Sequence, residues 1–324
     1  MLLLLLATAC APVVMPAGPS LGPPRLAEGA MIAADGATLP FRTFAPDGPP
    51  RAVMLALHGF NDHGGNFLAD SIAALNAGGV LVYAPDQRGF GRAPNRGYWA
   101  GAETLAEDAA SLATLLRARH PGLPLVLLGE SMGGAIAILA AERTPPVDRY
   151  VLLAPAVWSR AQMNAVMRGG LWLAGKTMPA MSFGGGVGGV VASDNDAALR
   201  RLSRDPLVLR RSRVDTALGL VDLMDRAAPA LPACCLGTSG VRVPTLLLYG
   251  AQDSVVPPRP TRAALRAIPP DAPIRIGVYA EGFHLLLAGN DRAAVVGDVL
   301  AFVADPAARL PSGAEDAAPE WLAQ

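Results

Sequence analysis

Leu125-Val-Leu-Leu-Gly-Glu-Ser-Met-Gly-Gly-Ala-Ile-Ala-Ile-Leu139 opens on four apolar residues, the signature of a strand buried on both faces in a parallel sheet. From Ala135 small and aliphatic residues run on through Ala141 and Glu142, which reads as a helix packed on that sheet. Between the two lies Gly129-Glu-Ser131-Met-Gly133, a G-x-S-x-G pattern. A chain that passes from strand to helix this abruptly forces Ser131 into a strained conformation with its hydroxyl exposed. Gly129 and Gly133 supply room that a Cβ would fill. The helix that starts just past Ser131 aims its free N–H groups and positive dipole end at that hydroxyl. The same pattern recurs at Gly18-Pro-Ser20-Leu-Gly22, in a Pro/Gly tract with no strand before it and no helix after, so that copy carries no function.

At 324 residues the chain has the length of one large α/β domain with an insertion. The 27 basic and 27 acidic residues balance and the basic ones are scattered, which leaves no footprint for nucleic acid. A hydrophobic content of 52% and a mean hydropathy of +0.33 raise the question of membrane spans. The longest apolar runs fail as spans: Glu130 and glycines break Leu123 to Ala141, and Lys176, Pro179 and many glycines break Leu171 to Val191. Of the three cysteines, Cys234 and Cys235 are adjacent, a spacing that rarely permits an unstrained bridge, and they read as small buried or loop thiols.

Cys10 belongs with the N-terminus. Met1-Leu-Leu-Leu-Leu-Leu-Ala-Thr-Ala-Cys10 is an apolar stretch ending in small residues before a cysteine, similar to the end of a bacterial lipoprotein signal peptide. The leading expectation is a lipidated Cys10, membrane attachment through it and a place in the cell envelope. A plain secretory signal cut after Ala9 or Ala17 and a cytoplasmic protein with an apolar start are the alternatives. Residues 1–29 then form a signal and a flexible tether, rich in Pro and Gly and poor in charge.

Farther on, Met31 to Phe44 reads as two short strands turning at Gly36, and buried strands follow at Ala52 to Leu57, Val80 to Ala84 and Tyr150 to Ala154. Helical spacing marks Ser71 to Asn76 and Thr104 to Arg119. The strand–helix alternation predicts an α/β fold with a mostly parallel central sheet flanked by helices. The rhythm breaks over 156–240, which carries no clean strand and reads as an inserted, mostly helical cap. The sheet resumes at Thr245 to Tyr249 and Ile274 to Val278, with a closing helix from about Ala293 to Ala304. The core is therefore 30–155 plus 241–310, and 311–324 is expected to be a disordered tail.

A serine nucleophile needs a general base, and four histidines are available. His120 precedes Pro121 at a helix end, on the wrong edge of the sheet. His58 and His63 bracket a loop after a strand and more naturally shape that loop. His284 follows the last strand, on the edge where ligands bind in such folds, and is the chosen base. Asp253, after the strand Thr245 to Tyr249 and before His284, is the chosen acid to orient the imidazole, giving the chain order Ser, Asp, His. The backbone N–H groups of Met132 and Phe60 are the expected oxyanion donors. Trp158, Met163, Met167, Leu171 and Trp172 in the cap are the expected lining of an acyl-chain channel. Arg88 is expected to brace its own loop. No metal or organic cofactor is required, and no metal site is expected.

His58-Gly-Phe-Asn-Asp-His63, Asp86-Gln-Arg88-Gly-Phe-Gly91, the Ser131 motif, Gly250-Ala-Gln-Asp253 and Gly282-Phe-His284, with Asp205-Pro-Leu207 in the cap, together resemble the monoacylglycerol lipase/lysophospholipase branch of the α/β-hydrolase superfamily. The resemblance runs from about Met31 to Leu310. It implies an α/β-hydrolase fold and a carboxylester hydrolase acting on single-chain lipids, with Ser131, Asp253 and His284 as triad. The same triad would serve an acyltransferase, a thioesterase or a peptidase. A non-catalytic surface binding protein is the remaining alternative.

Overall fold

The computed structural model describes residues 11–184, 190–237 and 239–324. Cys10 therefore lies outside the described residues. Among the described residues eleven strands run in chain order: β1 Arg25–Ala27, β2 Ala30–Ile32, β3 Thr38–Phe44, β4 Ala52–Leu57, β5 Val80–Pro85, β6 Leu125–Glu130, β7 Arg149–Leu153, β8 Ser182–Gly184, β9 Arg211–Arg213, β10 Thr245–Gly250 and β11 Ile274–Tyr279. Nine form one sheet in the order β1-β2-β3-β5-β4-β6-β7-β10-β11. From β5 to β11 every pairing is parallel, and the β1–β2–β3 end joins antiparallel.

The helices are α1 Ile72–Ala77, α2 Ala102–Arg119, α3 Met132–Ala140, α4 Ala165–Thr177, α5 Asp196–Arg204, α6 Val214–Ala230, α7 Pro258–Arg266, α8 Arg292–Ala304 and α9 Ala314–Ala323. All residues of β4 and β6 are buried, and their alternation splits the core in two. Val53, Leu55, Leu57, Leu125 and Leu127 join a cluster with α2 and α3, while Met54, Ala56, Val126 and Leu128 join one with α8. Sequence order reverses about β4, with β5 on one side and β6 on the other, so the loops after β4 and β6 open the crevice in which ligands bind in such sheets. Among the described residues no helix is long and apolar enough to cross a membrane.

Four sequence expectations need correcting. The first concerns 11–24, which is not a loose tether but lies along the body. Val14 bridges Trp99, and the N–H groups of Val13, Met15, Ala17 and Gly18 donate to Asp215, Trp99, Thr104 and Asp35. Prolines cost the segment donors but leave it extended, and body groups take up the N–H groups that remain.

The second is Cys234–Cys235, which forms a disulfide across a cis peptide that brings the two Cα atoms to 3.3 Å, inside the core beside α6. The third is the tail, where Ala314, Ala318 and Trp321 fall on one side of α9 and are buried. Trp321 lies 4.9 Å from the Tyr249 ring, and Arg262 covers its face at 4.6 Å. Arg275 grips Glu315 with two hydrogen bonds, of 2.8 and 2.6 Å.

The fourth is the insertion, which does hold strands, the antiparallel pair β8 and β9. Its last helix, α6, packs on α3 and α2, with Trp99 pressed against Gly219, and so joins the body.

The strand-to-helix turn rests on two glycines. A Cβ on Gly133 would stand 2.2 Å from the Leu57 carbonyl oxygen, and one on Gly129 2.3 Å from that of Gly133. Because the obstacles are backbone, Gly133→Ala should lower stability by about 3 kcal/mol, read as a reduced urea midpoint and a loss of soluble protein.

Candidate active site

Ser131 caps α3 with φ 54° and ψ −114°, a left-handed strained backbone that the surrounding sheet and helix hold in place. Its N–H donates to Leu153 O, and its carbonyl accepts from Ala135 and Ala156, so the turn is tied to β7 on the far side. Gly59, in the loop after β4, comes so close that a Cβ there would lie 3.4 Å from the Ser131 Cβ.

On the same edge, the loops after β10 and β11 bring two of the chosen side chains together. His284 Nδ1 lies 2.7 Å from Asp253 Oδ2, and both residues are buried. Asp253 Oδ1 accepts from the N–H groups of Val255 (2.8 Å) and Val256 (2.9 Å), which turns Oδ2 toward the imidazole. Tyr249 donates to the Val256 carbonyl at 2.6 Å and stiffens that turn. The imidazole is thereby set with Nδ1–H toward the carboxylate and Nε2 as its second polar atom.

The loop after β4 is a network of buried polar groups. His58 Nδ1 lies 2.8 Å from Gly59 O, and Nε2 accepts from the N–H of Gln87 at 3.1 Å, which fixes the Nδ1–H tautomer. Burial pushes its pKa down to about 4, so it is a neutral pillar at working pH. Asp86 Oδ1 accepts from Arg42 (2.8 Å) and from the N–H of Gly64 (3.0 Å), and Oδ2 from the N–H of Arg92 (2.9 Å). His63 Nδ1 accepts from Gly65, and Nε2 bonds Asp205 of the cap at 2.9 Å. Arg88 grips both Asp35 and Asp108, which bolts its loop to the N-terminal hairpin and to α2. His120 bonds Tyr83 at 2.9 Å, away from this edge.

Glu130, next to Ser131, drew no attention as a functional residue in the sequence. It is fully buried, its pKa is raised well above normal by burial and by the charges of Asp62 and Asp253, and its carboxyl accepts from the N–H of Leu287. It therefore ties β6, the strand that leads into Ser131, to the turn after His284.

The proposed acyl-channel residues divide. Met163 is buried, and it and Trp158, at the start of the cap just after β7, pack against the main core. Leu171 and Trp172 instead line a groove of about 340 Å³ with Pro12, Val14 and Gly219, away from Ser131. Met167 and Trp172 are exposed, at 40% and 65%. Gly175 lets α4 lie close on Leu218 of α6, where a Cβ would stand 2.6 Å from the Leu218 side chain.

A mostly parallel sheet with a left-handed serine at the strand-to-helix turn defines an α/β-hydrolase. The sequence pattern of the family described as serine aminopeptidase, S33, matches residues 48–292. Human monoglyceride lipase is 32% identical over 232 residues, 69% of this chain and 72% of that one. The monoacylglycerol lipase of Mycolicibacterium smegmatis is 26% identical over 284 residues, covering 83% and 93%. A soluble variant of the Saccharomyces cerevisiae monoglyceride lipase, solved in complex with a substrate analogue, aligns with a TM-score of 0.66 at 19% identity, over 88% of this chain and 98% of that one. The chain belongs to the serine aminopeptidase S33 family, in its monoglyceride lipase-like branch of the α/β-hydrolases, and is a carboxylic ester hydrolase.

The buried His58 sets a pH dependence. The unfolded chain takes up a proton near pH 6.5 that the folded protein refuses until about pH 4, so His58 makes stability fall as the pH drops through that window. Asp62, raised to about 6 by burial, acts with the opposite sign between about pH 4 and 6. His58→Asn isolates the first contribution: the stability gap between wild type and variant should narrow by a few kcal/mol from pH 7 to 4.5, measured by urea unfolding.

Proposed function

We propose that the protein hydrolyses acyl esters of single-chain lipids, monoacylglycerols or lysophospholipids, through Ser131, His284 and Asp253. The observation that carries this is the His284–Asp253 pair at 2.7 Å, its carboxylate held by two backbone N–H groups, on the sheet edge where Ser131 caps α3. The names of the relatives supply the substrate class.

In this mechanism Ser131 Oγ attacks the ester carbonyl while His284 Nε2 takes its proton. Asp253 holds the tautomer and stabilises the imidazolium. The backbone N–H groups of Met132 and Phe60 receive the oxyanion, a contribution worth about 3 kcal/mol for each donor. His284 returns the proton to the departing glycerol oxygen. It then activates a water that attacks the acyl-enzyme, releases the fatty acid and restores Ser131. Trp158 and Met163, after β7, line the acyl side in this reading. Cys10 is the lipid anchor in this reading, detected as an acyl mass increment on the N-terminal peptide of membrane-extracted protein.

Hydrolysis of a monoacylglycerol and nitrophenyl-ester chain-length series should favour medium or long single chains and vanish in Ser131→Ala. Asp253→Asn should lower kcat by about 10⁴-fold. A preference for short esters alone would discard the lipid assignment, and turnover surviving in Ser131→Ala would discard the triad.

A further inference from the structure

The loop that supplies Phe60 is held from two directions. On the body side the Phe60 ring meets Phe90 edge-on at 5.5 Å, and residues 62–65 are tied to Gly59, Asp86 and one another. Asn61 is different. The Leu209 N–H donates to its carbonyl at 2.9 Å, its Nδ2 donates to Ser212 Oγ at 2.8 Å, and Ser212 Oγ lies 3.1 Å from its Oδ1. All three bonds go to the cap. Asn61 also stands at φ 67°, a left-handed conformation that asparagine tolerates better than most residues but that needs support to persist.

The cap partners are themselves fixed. Ser212 is buried in β9, paired with Phe183 of β8. Hydrogen bonds shielded from water in this way hold geometry more firmly than exposed ones. Two further ties lie alongside: Asp205 with His63, and Arg201 with Asp70 and Asn66. The segment 205–212 thus rides on the loop after β4, with its most direct grip on the residue next to Phe60.

We propose that Asn61 is a positioning residue through which the cap sets the oxyanion loop: with Leu209 and Ser212 seated on it, the Phe60 N–H points at the developing oxyanion, and with the cap lifted it does not. This rests on the triad and oxyanion reading above. It makes the cap part of the catalytic geometry as well as a cover, since a donor counts only when aimed at the position the oxyanion will occupy.

The test uses Ser212→Ala, which alters only the cap side, and Asn61→Gly, which keeps the left-handed turn but removes the side-chain clamp. Each should lower kcat on a soluble nitrophenyl ester about tenfold with KM unchanged. Each should weaken binding of an alkyl boronic acid, which forms a tetrahedral adduct, by the same factor. The double variant should lose no more than either single one. Unchanged kcat and boronate affinity in either folded variant, or a fall in kcat without a fall in boronate affinity, overturns the proposal. Ser131→Ala is assayed in parallel: turnover surviving there overturns the active-site reading itself, whereas Ser131-dependent turnover insensitive to Ser212→Ala overturns the cap coupling alone.

Discussion

The packing of Gly133 against the carbonyl of Leu57 sets the distance between β4 and the first turn of α3. With no side chain between them, the helix begins almost on top of the sheet edge, and the one residue left to make the turn, Ser131, is driven to φ 54°. The strain is held by bonds to β7, by the Gly129–Gly133 contact and by a core buried on both faces of the sheet. What the strain delivers is a hydroxyl at the positive end of a helix, beside the loop that follows β4.

Around that point the protein buries many polar groups and gives most of them partners, Gln87 Oε1 and Glu130 Oε2 being left without one among the described residues. His58 stays neutral between Gly59 and Gln87. Asp86 collects Arg42 and two backbone N–H groups, and Arg88 joins two carboxylates on separate elements. Such networks rigidify only when their members are satisfied. Here they fix the loop after β4 from below, while Asp205, Leu209 and Ser212 hold it from above. On the other flank Glu130 links β6 to the turn behind His284 through the Leu287 N–H.

Much of this was legible in the chain before folding was considered. The parallel strands showed as short apolar runs, and the helices α1 and α2 as helical spacing. The candidate triad followed from each side chain's place after a strand. Elsewhere composition misled. The tail is rich in Pro, Ala and acid, yet Ala314, Ala318 and Trp321 share a stripe that needed Tyr249 and Arg262 to receive it. The N-terminal segment has the makeup of a linker, but its spare N–H groups meet Asp215, Thr104 and Asp35, which are distant in sequence. Three glycines hid α4, and the adjacent cysteines turned out to be joined.

The sequence alone determined the strand–helix alternation, the turn at Ser131 and the family, because these depend on local chemistry: apolar periodicity, glycines where a Cβ would clash, and short motifs. Only the tertiary structure decided that Asp253 faces His284 and that Glu130 is buried between carboxylates. It alone showed that Leu171 and Trp172 line a different groove from the one expected, and that Asn61 is clamped by residues about 150 positions later. Those facts depend on which surfaces meet when the sheet closes and the insertion folds back over its edge, and no local pattern encodes a meeting between segments so far apart.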